Sequence, residues 1–133
     1  MNKYSWEVYA ELTKSFPDLR NLVSTEGELL IVDKPSGSQG NIGGVVIQTT
    51  EDNDLWVRVY AGNSAYCVDD TKELISILEG LFTDQVLWVV AYYNSEWHET
   101  TLIQNKAQLK IEADIVYNIY SWSGRLDEVI VKE

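Results

Sequence analysis

The chain has 133 residues, a net charge of −11 and a sequence pI near 4.4. Hydrophobic residues make up 45% and charged residues 23%, so a core of ordinary size can form without metals or disulfides. The excess of carboxylates argues against nucleic acid or an anionic membrane as a partner and favours a basic one.

The first residues, "MNKYSWEVYAELTKSF", lack the apolar run of a signal peptide. No run approaches the ~20 apolar residues of a membrane span, so the expected home is the cytoplasm. Residues 4 to about 15 read as a helix. Trp6, Tyr9, Ala10, Leu12 and Thr13 fall near one face, and Glu7, Glu11 and Lys14 take the other. Pro17 disfavours helical geometry at Phe16 and ends it. "PDLRNLVS" adds a short helical turn, and Glu26-Gly27 turns the chain into the strand "ELLIVDK". Residues 34 to 44, "KPSGSQGNIGG", hold four glycines and read as a mobile hairpin connection. A phosphate loop would need a Gly-Lys-Ser/Thr ending and a following helix, whereas "GVVIQTT" is a strand pattern.

"GVVIQTTE" and "LWVRVYAG" flank the turn "DND". Leu55, Val57 and Val59 point one way, and Trp56, Arg58 and Tyr60 the other. "NSAYCV" is a further short strand with the lone cysteine, Cys67, expected to be buried and inert. "DDTKELISILEGLF" reads as a helix over about 70–82. Asp69 or Asp70 caps it, Asp70 and Glu73 have capping-box spacing, and Leu74, Ile77, Leu78 and Leu81 form its stripe. "QVLWVVAYY" reads as a central strand covered on both sides, and Asn94-Ser95 turns it into "EWHETTLI". "AQLKIEADIVYNIYSW" alternates as one long strand. Ile115, Tyr117 and Ile119 lie on one face, and Glu112, Asp114, Asn118, Tyr120 and Trp122 on the other. After the turn Ser123-Gly124, "RLDEVIV" closes the chain. The expected fold is one α+β domain over residues 1–133. Its antiparallel sheet has about six to eight strands, with both helices packed on one face.

His98 is the only histidine. In strict alternation Trp97, Glu99 and Thr101 share one face and His98, Thr100 and Leu102 the other, so His98 and Glu99 diverge. A second histidine for a His-Glu-x-x-His zinc site is missing, and neither a metal nor a cofactor is expected. The expected partner-binding surface is Glu112, Asp114, Asn118, Tyr120 and Trp122. Asp54, Trp56, Glu96, Trp97, His98 and Glu99 are secondary candidates. Carboxylates steer a basic protein, and tryptophan and tyrosine anchor it.

With "DLWVRVYAGNSAYCVDD" and "LWVVAYYNSEWHETTLI" as its most distinctive stretches, the chain resembles the small acidic immunity proteins of bacterial toxin systems. The likeness lies in size, acidity, the strand-rich α+β pattern and the aromatics. It implies a non-enzymatic cytoplasmic protein, monomeric or homodimeric, that blocks a cognate, often basic toxin domain such as a nuclease. Two alternatives stand beside it. One is a small hydrolase using His98 with Asp69 or Asp70. The other is a homodimeric ligand-binding or assembly module that covers Tyr120 and Trp122.

Overall fold

A computed structural model describes residues 1–132, the Asn63 side chain excepted. Helix α1 (Lys3–Ser15) begins where the Asn2 side chain accepts the Ser5 amide at 2.8 Å. It ends at Phe16, ahead of Pro17, as the proline implies. Its inward face is Ser5, Val8, Leu12 and Thr13, while Trp6 of the expected face is 55% exposed. The buried Ser5 hydroxyl meets the Thr49 hydroxyl at 2.6 Å. A paired serine can therefore sit inside, and hydropathy alone rotates the helix wrongly.

Five strands follow: β1 (Val23–Glu26), β2 (Leu29–Pro35), β3 (Gly44–Thr49), β4 (Leu55–Val59) and β5 (Ala65–Val68). They form an antiparallel sheet in sequence order. Helix α2 (Thr71–Phe82) is capped by Asp70, which accepts the Glu73 amide at 2.7 Å, and Glu73 returns to the Asp69 amide at 2.9 Å. Then come β6 (Leu87–Tyr93), β7 (Glu96–Ile103), β8 (Ile115–Tyr120) and β9 (Glu128–Val131), antiparallel in the order β7-β6-β8-β9. The α+β class holds, with nine strands among the described residues in two sheets rather than one sheet of six to eight. The helix between β5 and β6 carries the chain off the first sheet. Turn signals reveal the hairpin neighbours within each sheet, but neither the pairing of β6 with β8 nor whether one sheet continues the other.

The main core lies on the inner face of the five-stranded sheet. Val8 and Leu12 of α1, Leu74 and Leu78 of α2, and Trp88 and Val90 of β6 pack there. The opposite face of the four-stranded sheet carries a second cluster that includes Val89, Ala91, Ile103, Ile115 and Tyr117. Strand β6 is thus covered on both faces, as its unbroken apolar run requires.

Two expectations change. The glycine-rich segment is tied down rather than free. Ser38 donates to the Trp122 carbonyl at 3.0 Å and the Asn41 amide to the Asp127 carboxylate at 2.9 Å. Cys67 is exposed rather than buried, because it faces outward on β5 opposite Trp56. Desolvation first, and the Asp54 charge next, push its thiol pKa up.

Tyr60 covers the bare backbone at the start of β3. A Cβ on Gly44 would lie 2.6 Å from the Tyr60 ring and 2.7 Å from the Lys34 carbonyl oxygen. Gly44→Ala should therefore lower stability by about 1–3 kcal/mol; an unchanged denaturant midpoint would refute this packing. The Tyr60 hydroxyl donates to Asp33. Burial first, then this bond and the Asp33 charge, push its pKa from 10.0 up to about 12. A raised pKa stabilises the fold fully below the unfolded value, and this contribution is lost as pH rises through the folded one. Urea midpoints should fall across that alkaline window in the wild type and fall less in Tyr60→Phe.

Candidate functional site

The β6–β7 hairpin builds the site. Asn94 and Ser95 both take positive φ, 50° and 66°, as a two-residue primed turn requires. Beyond the turn the register breaks. Tyr92 pairs with Trp97, but Ala91 pairs with Glu99, so His98 is the extra residue of a β-bulge. The bulge re-aims the strand. Trp97 goes with Thr100 and Leu102 on the side of the main core, whereas His98, Glu99 and Thr101 line one cavity on the other side. His98 and Glu99 therefore do not diverge as alternation predicts. One inserted residue exchanges the faces, and both Leu102 and Ile103 are apolar, so hydropathy hides the insertion.

Trp97 is 60% exposed and Tyr93 50% exposed. Trp97 is nevertheless held. Its indole N–H donates to the Thr100 hydroxyl at 3.1 Å, and Thr100 meets the Ser64 hydroxyl. Ser64 also accepts the indole N–H of Trp88 at 3.2 Å. A chain of hydrogen bonds thus runs from a fully buried tryptophan to an exposed one. Such a chain holds the outer ring in place although it is exposed.

The second half of the site is the connection between β7 and β8. The long strand expected from residue 107 onward begins only at Ile115, and Asp114 takes φ 67°. The segment before it folds back over the sheet. The Gln104 amide donates to Gln108 Oε1 at 2.6 Å, and the Ala107 amide to Asn105 Oδ1 at 3.0 Å. The Tyr117 hydroxyl then staples the returning chain, donating to the Lys110 carbonyl at 3.1 Å and accepting the Glu112 amide at 3.0 Å. Between this segment and the sheet lies a cavity of about 260 Å³. Val89, Ala91, Ile115 and Tyr117 are its buried residues, and exposed His98, Glu99, Lys110 and Glu112 also line it.

The expected surface is thereby divided into three places. His98, Glu99 and Glu112 come together at the cavity, while Trp97 lies on the opposite face of the hairpin and Glu96 beside its turn. Asp114 lies beside them, since Ile115 pairs with Tyr93. Glu112 and Asp114 do not share a strand face with Asn118, Tyr120 and Trp122, because the strand does not reach them. Asn118 is half-buried in mid-sheet between Val90 and Val129. Tyr120 and Trp122 pack against the main core, with Trp122 4.7 Å from the Phe82 ring. Their cover comes from the chain itself, which removes the reason to assign them to a dimer mate. Asp54 and Trp56 belong to the other sheet. Asp69 and Asp70 serve the start of α2. Sequence reasoning missed Tyr93, Thr100 and Lys110. The Asn94-Ser95 turn could have flagged Tyr93, which directly flanks it.

Among the described residues, no group of three or more His, Cys, Asp or Glu is arranged to hold a metal ion. Among them, too, no helix is long and apolar enough to cross a membrane. No protein-family model, curated protein or solved structure matches the chain.

Thr100 is the hinge of the tryptophan chain. Thr100→Val should cost about 1–2 kcal/mol in a urea titration, because Ser64 loses a partner in a buried site. The indole N–H resonances of Trp97 and Trp88 should shift together. A shift of Trp97 alone would disconnect the surface ring from the core.

Proposed function

We propose that this protein is an inhibitor of the immunity type, which binds a basic toxin domain through the β6–β7 hairpin and blocks that domain's active cleft. The observation that carries this reading is the hairpin end itself. It presents exposed Trp97 on one face and the carboxylates of Glu99 and Glu112 on the other, with exposed Tyr93 and Glu96 paired beside the turn and Asp114 next to Ile115, which pairs with Tyr93. Exposed tryptophan and tyrosine supply contact area at little entropic cost once they are held, and Trp97 is held. The carboxylates, backed by the net charge of −11, steer a cationic partner and stand where a nuclease would receive phosphates. The action is occlusion, without chemistry, in the reducing cytoplasm.

The bulge gives some support to the second reading, a hydrolase, since it brings His98 and Glu99 to one cavity. Both residues are exposed, and the cavity adds no serine or cysteine nucleophile to them. That composition favours recognition over turnover.

The test is capture of the tagged protein from lysate of cells that express the toxin. The wild type should retain a basic domain in equal stoichiometry, inhibit its activity and associate more slowly as salt rises. Trp97→Ala should weaken binding at least tenfold while lowering stability by no more than about 1 kcal/mol, the loss of one exposed hydrogen bond. Glu96→Lys should slow association at low salt. If no basic domain is recovered, or Trp97→Ala binds like the wild type, the hairpin is not an inhibitory interface.

A further inference from the structure

The cavity under the hairpin has a composition that aromatic anchoring and charge steering do not explain. Its buried part is apolar and comes from two adjacent strands, with Val89 and Ala91 on β6 and Ile115 and Tyr117 on β8. Its exposed part carries two carboxylates, Glu99 from the bulge and Glu112 from the returning segment. The backbone of each is placed by a defined device. The β-bulge turns Glu99 to this side, and the Tyr117 hydroxyl fixes the amide of Glu112 at 3.0 Å. An apolar floor beneath a pair of carboxylates fits a side chain with an apolar stem and a cationic head.

We infer that this cavity is a socket for one arginine side chain of the protein partner, an inference that rests on the inhibitor reading above. The methylene stem lies on Ala91 and Ile115, and the guanidinium reaches the carboxylates of Glu99 and Glu112. Arginine suits this better than lysine. Its planar fork donates to more than one carboxylate at once, and its weaker hydration lowers the cost of entering a half-apolar site. About 260 Å³ holds such a side chain with a few waters. Lys110 brings one positive charge to the same rim, beside the two carboxylates. Lys110 is therefore a competitor of the incoming guanidinium.

That opposition gives the test its sign. The intact protein is titrated with N-acetyl-arginine methylamide, and backbone amide shifts are followed by NMR. The citrulline counterpart, equal in shape and without charge, is the control. Saturable shifts at Ala91, Glu99, Glu112 and Ile115, with a dissociation constant on the order of 1 mM, are expected for the arginine probe alone. Glu99→Gln and Glu112→Gln should each weaken it roughly five- to tenfold. Lys110→Gln should tighten it roughly threefold, an effect that mere loss of structure cannot produce. No saturable shift at tens of millimolar probe, equal binding of the citrulline compound, or weaker binding in Lys110→Gln overturns the socket. The titration needs no partner. A negative result therefore removes the socket while the hairpin interface still stands or falls with Trp97→Ala.

Discussion

The fully buried indole of Trp88 organises this molecule. A tryptophan inside a core must find an acceptor for its N–H, and an unpaired one costs about 1–3 kcal/mol. Ser64, in the connection between β4 and β5, supplies it at 3.2 Å. The bond joins the four-stranded sheet to the five-stranded one in the middle of the main core. Thr100 of β7 meets the same serine, so the outer strand of the hairpin is set by the same point. The Ser64 backbone takes part as well, its carbonyl accepting the Val59 amide at 3.1 Å. Burial brings the sheets together without direction, and this small polar network decides how one sits on the other.

From that junction the hairpin follows. The two sheets share one core, so one face of β6 and β7 is committed to it. The other face is left to be covered by the segment between β7 and β8. That segment has few apolar side chains to contribute, Leu109 among them, and it closes over the sheet mainly through hydrogen bonds. A partial cover leaves a cavity. The same bulge that lets Trp97 reach Thr100 also turns Glu99 into this space. The proposed recognition groups on both faces of the hairpin thus trace to one irregularity in strand pairing. Bulges next to binding sites commonly work in this way.

The far end of the molecule is held by polar ties of another kind. Asp84 accepts from the Ser123 amide at 3.1 Å and from its hydroxyl, joining the end of α2 to the turn between β8 and β9. Burial alone would raise the Asp84 pKa, but the Ser123 bonds and the Arg125 guanidinium outweigh it and hold it low. Asp127 serves the same turn, accepting from the Ser121 amide at 2.7 Å and from Asn41. These carboxylates are structural. The acidity of the chain is therefore divided between groups that hold loops together and groups left free around the hairpin.

The sequence by itself determined the elements whose cause is local. Asp70 and Glu73 cap α2, Pro17 stops α1, Asn94-Ser95 makes the hairpin turn, and the unbroken apolar run of β6 announces a strand covered on both faces. It also set the acidity and the aromatic supply on which the proposed interface draws. Only the tertiary structure decided what depends on pairing between distant residues. Ser5 is inside because Thr49 meets it. Glu112 leaves the strand because Tyr117 staples its amide, and Trp122 is packed away because Phe82 waits for it. The bulge at His98 belongs to this second kind. Alternation assumes one residue per step of the partner strand. Nothing within "EWHETT" states that two residues there face one, because Thr100, which accepts the Trp97 indole N–H, is itself held by a serine more than thirty positions away.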